Sequence, residues 1–389
     1  MQSSPDGLFL PVARPTLGPE EEQAVAEVLA SGWVGTGPKV AEFEGMLQQC
    51  TGASAVVAVN SCTSALHLAL LAAGAGPGTE VITTPWTWVA TSHAIEYTGA
   101  QPVYVDVNDD FNMNVDLVED AITDATRVIL PVHMAGRPVD LGALHRIARA
   151  YALTVVEDAA HALGATYKGH AIGGTDSRFT CLSFQANKNI TTGDGGAVCL
   201  SEPGDADYVR NLAQCGNTTD AWKRLTAHSL EPPLCVRAGF KSTMTDIAAA
   251  LGVAQLPKLQ RFLARRRELA SLYRSHLSTV AEVILPSEAL AGADVQHMFI
   301  VRLDPRRSID RDDLRARLHA RHIGTGVHYR PLHFQPYYRE KYHLRPDDLP
   351  TASALADQVL TLPLYPSMTD EQVARVCDAL KATLREFAI

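Results

Sequence analysis

Lys188 sits where a lysine can become a nucleophile. It lies in the stretch Cys181 to Val198, CLSFQANKNITTGDGGAV. The apolar run up to Phe184 reads as the end of a buried strand, and Gln185 to Asn189 turn polar. A glycine-rich turn (Gly193, Asp194, Gly195, Gly196) then leads into a second apolar run, Ala197 to Leu200. In a tight connection between buried strands a lysine loses hydration, so its ammonium form is disfavoured and its amine is freed to attack a carbonyl. Taken alone, the pattern is equally that of a solvated loop lysine. Thirty residues upstream, Glu157-Asp158 close the mostly β-branched run Leu153 to Val156. They stand at its C-terminal edge, where open α/β sheets hold their ligands. A carboxylate there can bind a metal, take a proton or pair with a protonated ring nitrogen. Metal binding wants more His, Asp or Glu at ligand spacing, and His161 is the one near companion.

A third stretch, Val56 to Ala65 (VVAVNSCTSA), is an apolar strand, a turn of small polar residues, and the start of an apolar helix running to Ala73. Amides at a helix N-terminus, with the hydroxyls of Ser61, Thr63 and Ser64 beside them, form an anion site without a basic side chain. An ordinary N-cap serine accounts for the same residues when they are read alone. Read together, the three stretches supply a lysine for a Schiff base, an acid for a pyridinium nitrogen and a cradle for a phosphate. That is the set pyridoxal phosphate needs.

The elements that must position these residues alternate. Val56–Asn60, Glu80–Thr84, Pro102–Val107, Arg127–Val132, Leu153–Glu157, Phe179–Phe184 and Ala197–Leu200 read as strands, with helical patterns between most of them. This argues for a largely parallel sheet covered on both faces. Ahead of it, Pro19 opens a helix with three glutamates in its first turn, ended by Gly32. Thr245 to about Ser275 reads as one long helix, its Arg265-Arg266-Arg267 cluster a solvated face. Asp310 caps a helix from Arg311 to Arg321, and a last helix spans Thr369 to Phe387.

Composition narrows the function classes. A net charge of -9 with no long basic run argues against nucleic acid and membrane surfaces. No apolar stretch approaches the ~20 residues needed to cross a bilayer, and no leader pattern is present. Seven cysteines without paired spacing point away from a disulfide framework or a zinc site, and a reducing cytoplasm is the expected setting.

The motifs NSCTSAL, TTPWTWVAT, PVHMAG, VVEDAAHALGATYKG, SFQANKNITTGDGGAV, GFKSTMTDIAAALGVAQL and GTGVHYRPLH resemble those of the DegT/DnrJ/EryC1/StrS family. These are pyridoxal-phosphate-dependent nucleotide-sugar aminotransferases, and the resemblance runs from Arg14 nearly to the C-terminus. The Cys of NSCT, the His of EDAAHA and the Lys of GFK are most similar to the UDP-4-amino-4-deoxy-L-arabinose aminotransferase subgroup. The resemblance implies an α/β protein of fold-type I. A large cofactor domain would span 1–255, and a smaller α+β domain 256–389. It assigns the covalent role to Lys188, the ring nitrogen to Asp158, ring stacking to Trp88 and the phenolic oxygen to His161. Cys62, Thr63 and Ser183 would meet the phosphate, and Trp33, His328 and Tyr329 the sugar. Lys241 would reach the phosphate of a neighbouring subunit in a homodimer with shared active sites; its motif GFKSTM departs from the commoner GFNYRM. The implied substrates are an amino acid donor, glutamate, and a nucleotide-linked 4-keto-6-deoxyhexose or 4-ketopentose, with a 3-keto sugar as the alternative. A dehydratase of the same fold would carry histidine in place of Lys188. A non-catalytic regulator would carry an appended binding segment.

Overall fold

The computed structural model describes residues 9–287 and 293–387. Helices α1 (Pro19–Ser31) and α2 (Pro38–Thr51) precede strand β1 (Ala55–Val59) and helix α3 (Cys62–Ala72). Then come β2 (Glu80–Thr83), α4 (Val89–Tyr97), β3 (Gln101–Tyr104), β4 (Thr126–Ile129), α5 (Leu141–Ala150) and β5 (Thr154–Asp158). A small hairpin, β6 (Thr166–Tyr167) and β7 (His170–Ala171), leads to β8 (Phe179–Ser183) and β9 (Gly196–Leu200). Helices α6 (Gly204–Ala213), α7 (Ala221–Thr226), α8 (Asp246–Gln255) and α9 (Leu259–Leu277) follow. The remainder is β10 (Val283–Ile284), β11 (Phe299–Leu303), α10 (Arg311–Ala320), α11 (Pro336–Tyr342), α12 (Pro350–Leu355), β12 (Val359–Leu362) and α13 (Asp370–Arg385).

Seven strands form one sheet in the order β1-β9-β8-β5-β4-β2-β3. All neighbours run parallel except β9, which is antiparallel to both β1 and β8. Alternate residues of a strand serve opposite faces. Val56 and Ala58 of β1 join a core with α2, α5 and α8, while Val57 and Val59 join one with α3, α4 and α6. Sandwiched strands of this kind can be apolar on both faces, as AVVAV of β1 and GAVCL of β9 are. One rung of the sheet recurs below: Val59 pairs with Gly196, and Gly196 pairs with Ser183. Three strand ends that carry site residues are thus tied to one register.

A second sheet, β10-β11-β12, builds its own core with Leu314 and Leu318 of α10 and Val373, Val376 and Leu380 of α13. Helix α9 serves both cores, with Leu259 and Leu263 in the first and Leu269, Tyr273 and Leu277 in the second.

Two expectations for this helical region fail. The single helix over Thr245–Ser275 is interrupted by a 3-10 turn at Leu256–Lys258, because Pro257 has no amide to donate. Arg266 is not on a solvated face: it is 2% exposed, whereas Arg267 is exposed and Arg265 pairs with Asp370 and Glu268. Arg266 donates Nη1 to the carbonyls of His297 (3.1 Å) and Leu364 (3.0 Å), and burial pushes its pKa down to about 10. The N-terminal helix behaves as expected, with Gly32 ending α1 at φ 72°, a conformation that favours glycine.

Candidate active site

The C-terminal ends of β1, β5 and β8 border a cavity of about 410 Å³, which the second sheet covers from the other side through Met298, Thr361 and Leu362. Its wall includes Cys62, Thr63, Trp88, Asp158, His161, Ser183, Lys188, His328 and Tyr329, so nine sequence-predicted residues meet in one place.

Asp158 ends β5 and is buried. Its Oδ2 accepts from Thr91 Oγ1 at 2.8 Å, and its Oδ1 from the Ala160 amide at 3.1 Å. Since an ionised carboxylate cannot donate, the Thr91 proton goes to Asp158. The 2.7 Å contact between Thr87 and Thr91 must then be donated by Thr87. Burial raises the Asp158 pKa, and the two hydrogen bonds and the charge of Lys188 pull it back. Among the described residues no cation pairs with it. Its sequence neighbour Glu157 points the other way, to buried His133 Nε2 at 2.6 Å and half-buried Thr175 Oγ1 at 2.5 Å, in a structural network.

At the opposite side, α3 begins with Ser61 as N-cap, its Oγ accepting from the Ser64 amide at 3.1 Å. Ser64 Oγ is spent on Asn60 at 2.7 Å. Two of the hydroxyls expected at the anion site therefore serve the cap. The amides of Cys62 and Thr63, in the first turn of α3, have no intrahelical acceptor, and both residues line the cavity. Gly196 makes this arrangement possible: a Cβ there would stand 2.5 Å from the Cys62 nitrogen and from the Ser61 carbonyl carbon.

Lys188 lies between the two ends, in the turn joining β8 to β9. Burial lowers its pKa, while the Cys62 thiol and the Asp158 carboxylate act in the opposite direction. Burial also pushes the Cys62 and Cys181 thiols well up, so neither becomes a thiolate and the amine is the available nucleophile. His161 Nε2 meets Tyr329 Oη at 3.2 Å, and its Nδ1 is buried without a partner. His328 Nδ1 meets Thr361 Oγ1 at 2.9 Å, and burial takes its pKa down to about 4. Trp88 stands on the rim, 60% exposed, its ring centroid 6.0 Å from that of Tyr329.

Trp33 and Lys241 are not brought to this cavity. Trp33 packs edge-on against Trp222, centroids 4.9 Å apart, and donates Nε1 to the Thr36 carbonyl at 3.0 Å. Lys241 is exposed and bridges to Gln214 through backbone. The sequence did not single out Thr91 or His297, which also line the cavity. The Thr87/Thr91 spacing of four across the start of α4 was the available signal for the former.

A buried carboxylate without a cation, amides without an acceptor, and an amine of lowered basicity between them fit one organic group: a cationic ring nitrogen, an aldehyde carbon and a phosphate. No cluster of three metal-ligating side chains exists among the described residues. The model of the DegT/DnrJ/EryC1/StrS aminotransferase family matches residues 15–381. The chain belongs to that family. It is 39% identical over 381 residues to the uncharacterized protein MJ1066 of Methanocaldococcus jannaschii, covering 97% of this chain and 98% of the other. The sugar aminotransferase Spr1654 of Streptococcus pneumoniae, described as putative and solved in its PMP form, superposes with TM-score 0.90. The identity is 32%, over 97% of this chain and 100% of that one. DesI, solved in the presence of its TDP-sugar product, gives TM-score 0.87 at 29% identity over 98% and 94%. The family member described here is a pyridoxal-phosphate-dependent sugar aminotransferase with the mostly parallel α/β architecture of fold-type I. When bound, the cofactor supplies an electron sink that lets an amino group leave a donor amino acid and enter a sugar.

Proposed function

We propose that the protein moves the amino group of glutamate onto the keto carbon of a nucleotide-linked sugar, a 4-keto-6-deoxyhexose or 4-ketopentose. The observation that carries the reading is the placement of Lys188 between buried Asp158 and the open N-terminus of α3. In it Lys188 Nζ is the covalent anchor, and once released it carries the proton between the donor Cα and the cofactor carbon. The Asp158 carboxylate holds the proton on the ring nitrogen. The amides of Cys62 and Thr63, with Thr63 and Ser183 Oγ, take the phosphate, and His161 Nδ1 meets the phenolic oxygen. Trp88 covers the ring, and His328 and Tyr329 face the sugar. The nucleotide linkage is supported by the TDP-sugar product of DesI.

In the same reading the active unit is a homodimer. Trp33 and Lys241 stand outside their own chain's cavity, on a surface that also exposes Leu225, Leu234, Val236 and Phe240. A second copy covering it would bring both residues toward the other site.

The test has two parts. Borohydride reduction of the cofactor-loaded protein should fix the label on the peptide bearing Lys188, and a label on Lys168 or Lys241 instead would refute the assignment. The amine-loaded form should then recover its visible absorbance with nucleotide-linked 4-keto sugars. Recovery with free keto sugars alone would remove the nucleotide from the proposal.

A further inference from the structure

Asn189 follows Lys188 and is buried. Its Nδ2 faces two carbonyl oxygens, of His161 at 3.3 Å and Leu163 at 3.0 Å. Carbonyls only accept, so that end of the amide must be the nitrogen. Its Oδ1 lies 3.1 Å from His297 Nδ1, which must therefore carry a proton. Burial, with the nearby charges of Lys188 and Arg266 and the rings of His161 and His328, holds the His297 imidazole neutral. The ring also stacks on His161, centroids 4.7 Å apart and 19° from parallel.

The backbone of His297 is held on both sides. Its amide donates to the Ala135 carbonyl at 3.0 Å, and its carbonyl accepts from Arg266 at 3.1 Å. Arg266 comes from α9 and His297 stands just before β11, while Ala135 follows β4, so the ring sits where the second sheet and its helix meet the first. Asn189 belongs to the first sheet's lysine turn. The contact is a hydrogen bond of defined polarity between the two.

We propose that His297 is a positioning residue for amino transfer: through its hydrogen bond to Asn189 it fixes the turn that presents Lys188. The proposal rests on Lys188 being the covalent lysine. Lys188 must hold one place when bound and the same place when it returns the proton, and the side chain next to it ties the turn to two other segments, at residues 161–163 and at His297. Without the His297 donor, Asn189 Oδ1 is buried unsatisfied and the turn rearranges to relieve it.

The experiment uses the full-length protein loaded with pyridoxal phosphate and compares His297→Phe with His297→Asn. Phenylalanine keeps the stack on His161 and loses the donor; asparagine keeps a donor near the Nδ1 position and loses the ring. In single turnovers with glutamate, His297→Phe should lose about tenfold in rate with less than about twofold change in apparent donor affinity. Its lysine-bound visible band should weaken, and His297→Asn should restore most of the rate and the band. A His297→Phe enzyme with wild-type rate and band overturns the proposal, whatever its melting temperature. So does an asparagine variant no better than phenylalanine. Should the phenylalanine variant not fold, His297→Leu takes its place as the variant without a donor: a rate at least about fivefold below that of His297→Asn supports the role, and equal rates overturn it. Borohydride mapping of the wild type, run alongside, separates this outcome from failure of the Lys188 assignment itself.

Discussion

Thr91→Val removes one hydroxyl of almost the same shape, and its consequences follow from three contacts. Thr91 Oγ1 donates to Asp158 Oδ2 at 2.8 Å inside the protein, so the substitution takes away one of two hydrogen bonds that hold the carboxylate in its ionised form. A hydrogen bond to a charged group is worth about 1.5–3 kcal/mol, and one pKa unit about 1.4 kcal/mol. The Asp158 pKa, already raised by burial, should climb further. A carboxyl with a raised folded pKa contributes stability that is intact below its unfolded pKa, near ~4, and is lost as pH rises through the folded value. In the cofactor-free protein, Thr91→Val should therefore cost least at acid pH, where Asp158 is protonated, and about 1.5–3 kcal/mol once it is ionised. Urea unfolding of both proteins across that range measures the gap directly. A gap that stays constant with pH would mean that the hydroxyl is not bonded to the ionised carboxylate. Thr87→Val, one step removed, should show the same trend with a smaller amplitude.

Asp158→Asn should keep the shape of the site and lose the charge that holds the ring proton. Turnover should fall by ~10²–10⁴ or more, while cofactor binding measured by dialysis weakens much less; an active variant would assign the ring nitrogen to another partner. Gly196→Ala would drive a methyl into the Cys62 amide and Ser61 carbonyl at the turn before α3. Cofactor dissociation should quicken by at least about tenfold, as expected for losing about 1.4 kcal/mol of phosphate contact, and unchanged retention would place the phosphate elsewhere. Mixing Lys188→Ala with Lys241→Ala subunits, each inactive, should restore activity at one of two sites per dimer. No recovery after verified exchange would confine each site to one chain.

The residues that sequence places well share a local origin. Cys62, Thr63, Asp158, Ser183 and Lys188 each stand within a few residues of a strand end, so an apolar run followed by a turn locates them without knowledge of the rest of the fold. Thr91 escaped because its role is a contact 67 positions along the chain, and His297 because nothing in DVQHMFI distinguishes it from a solvent histidine. Arg266 was misread despite a usable signal: it falls on the helical phase of Phe262, Leu263, Leu269, Ala270 and Tyr273, the buried face of α9. Pro257 likewise announced the break between α8 and α9. Trp33 and Lys241 do not line the cavity of their own chain.

The rung joining Val59, Gly196 and Ser183 constrains how this site can change over generations. Because side chains alternate with a period of two, deleting one residue inside β9 would turn its whole sequence over and point Gly196's successor at the turn before α3. Such an indel would abolish the cofactor site even if every site residue survived. On the far side of the sheet, before β8 or after β9, length can drift freely without touching that alignment. Lineages descended from this protein should therefore carry their insertions outside the segment from Phe179 to Leu200. Within it, the count of residues should be kept as strictly as the identities of Ser183, Lys188 and Gly196.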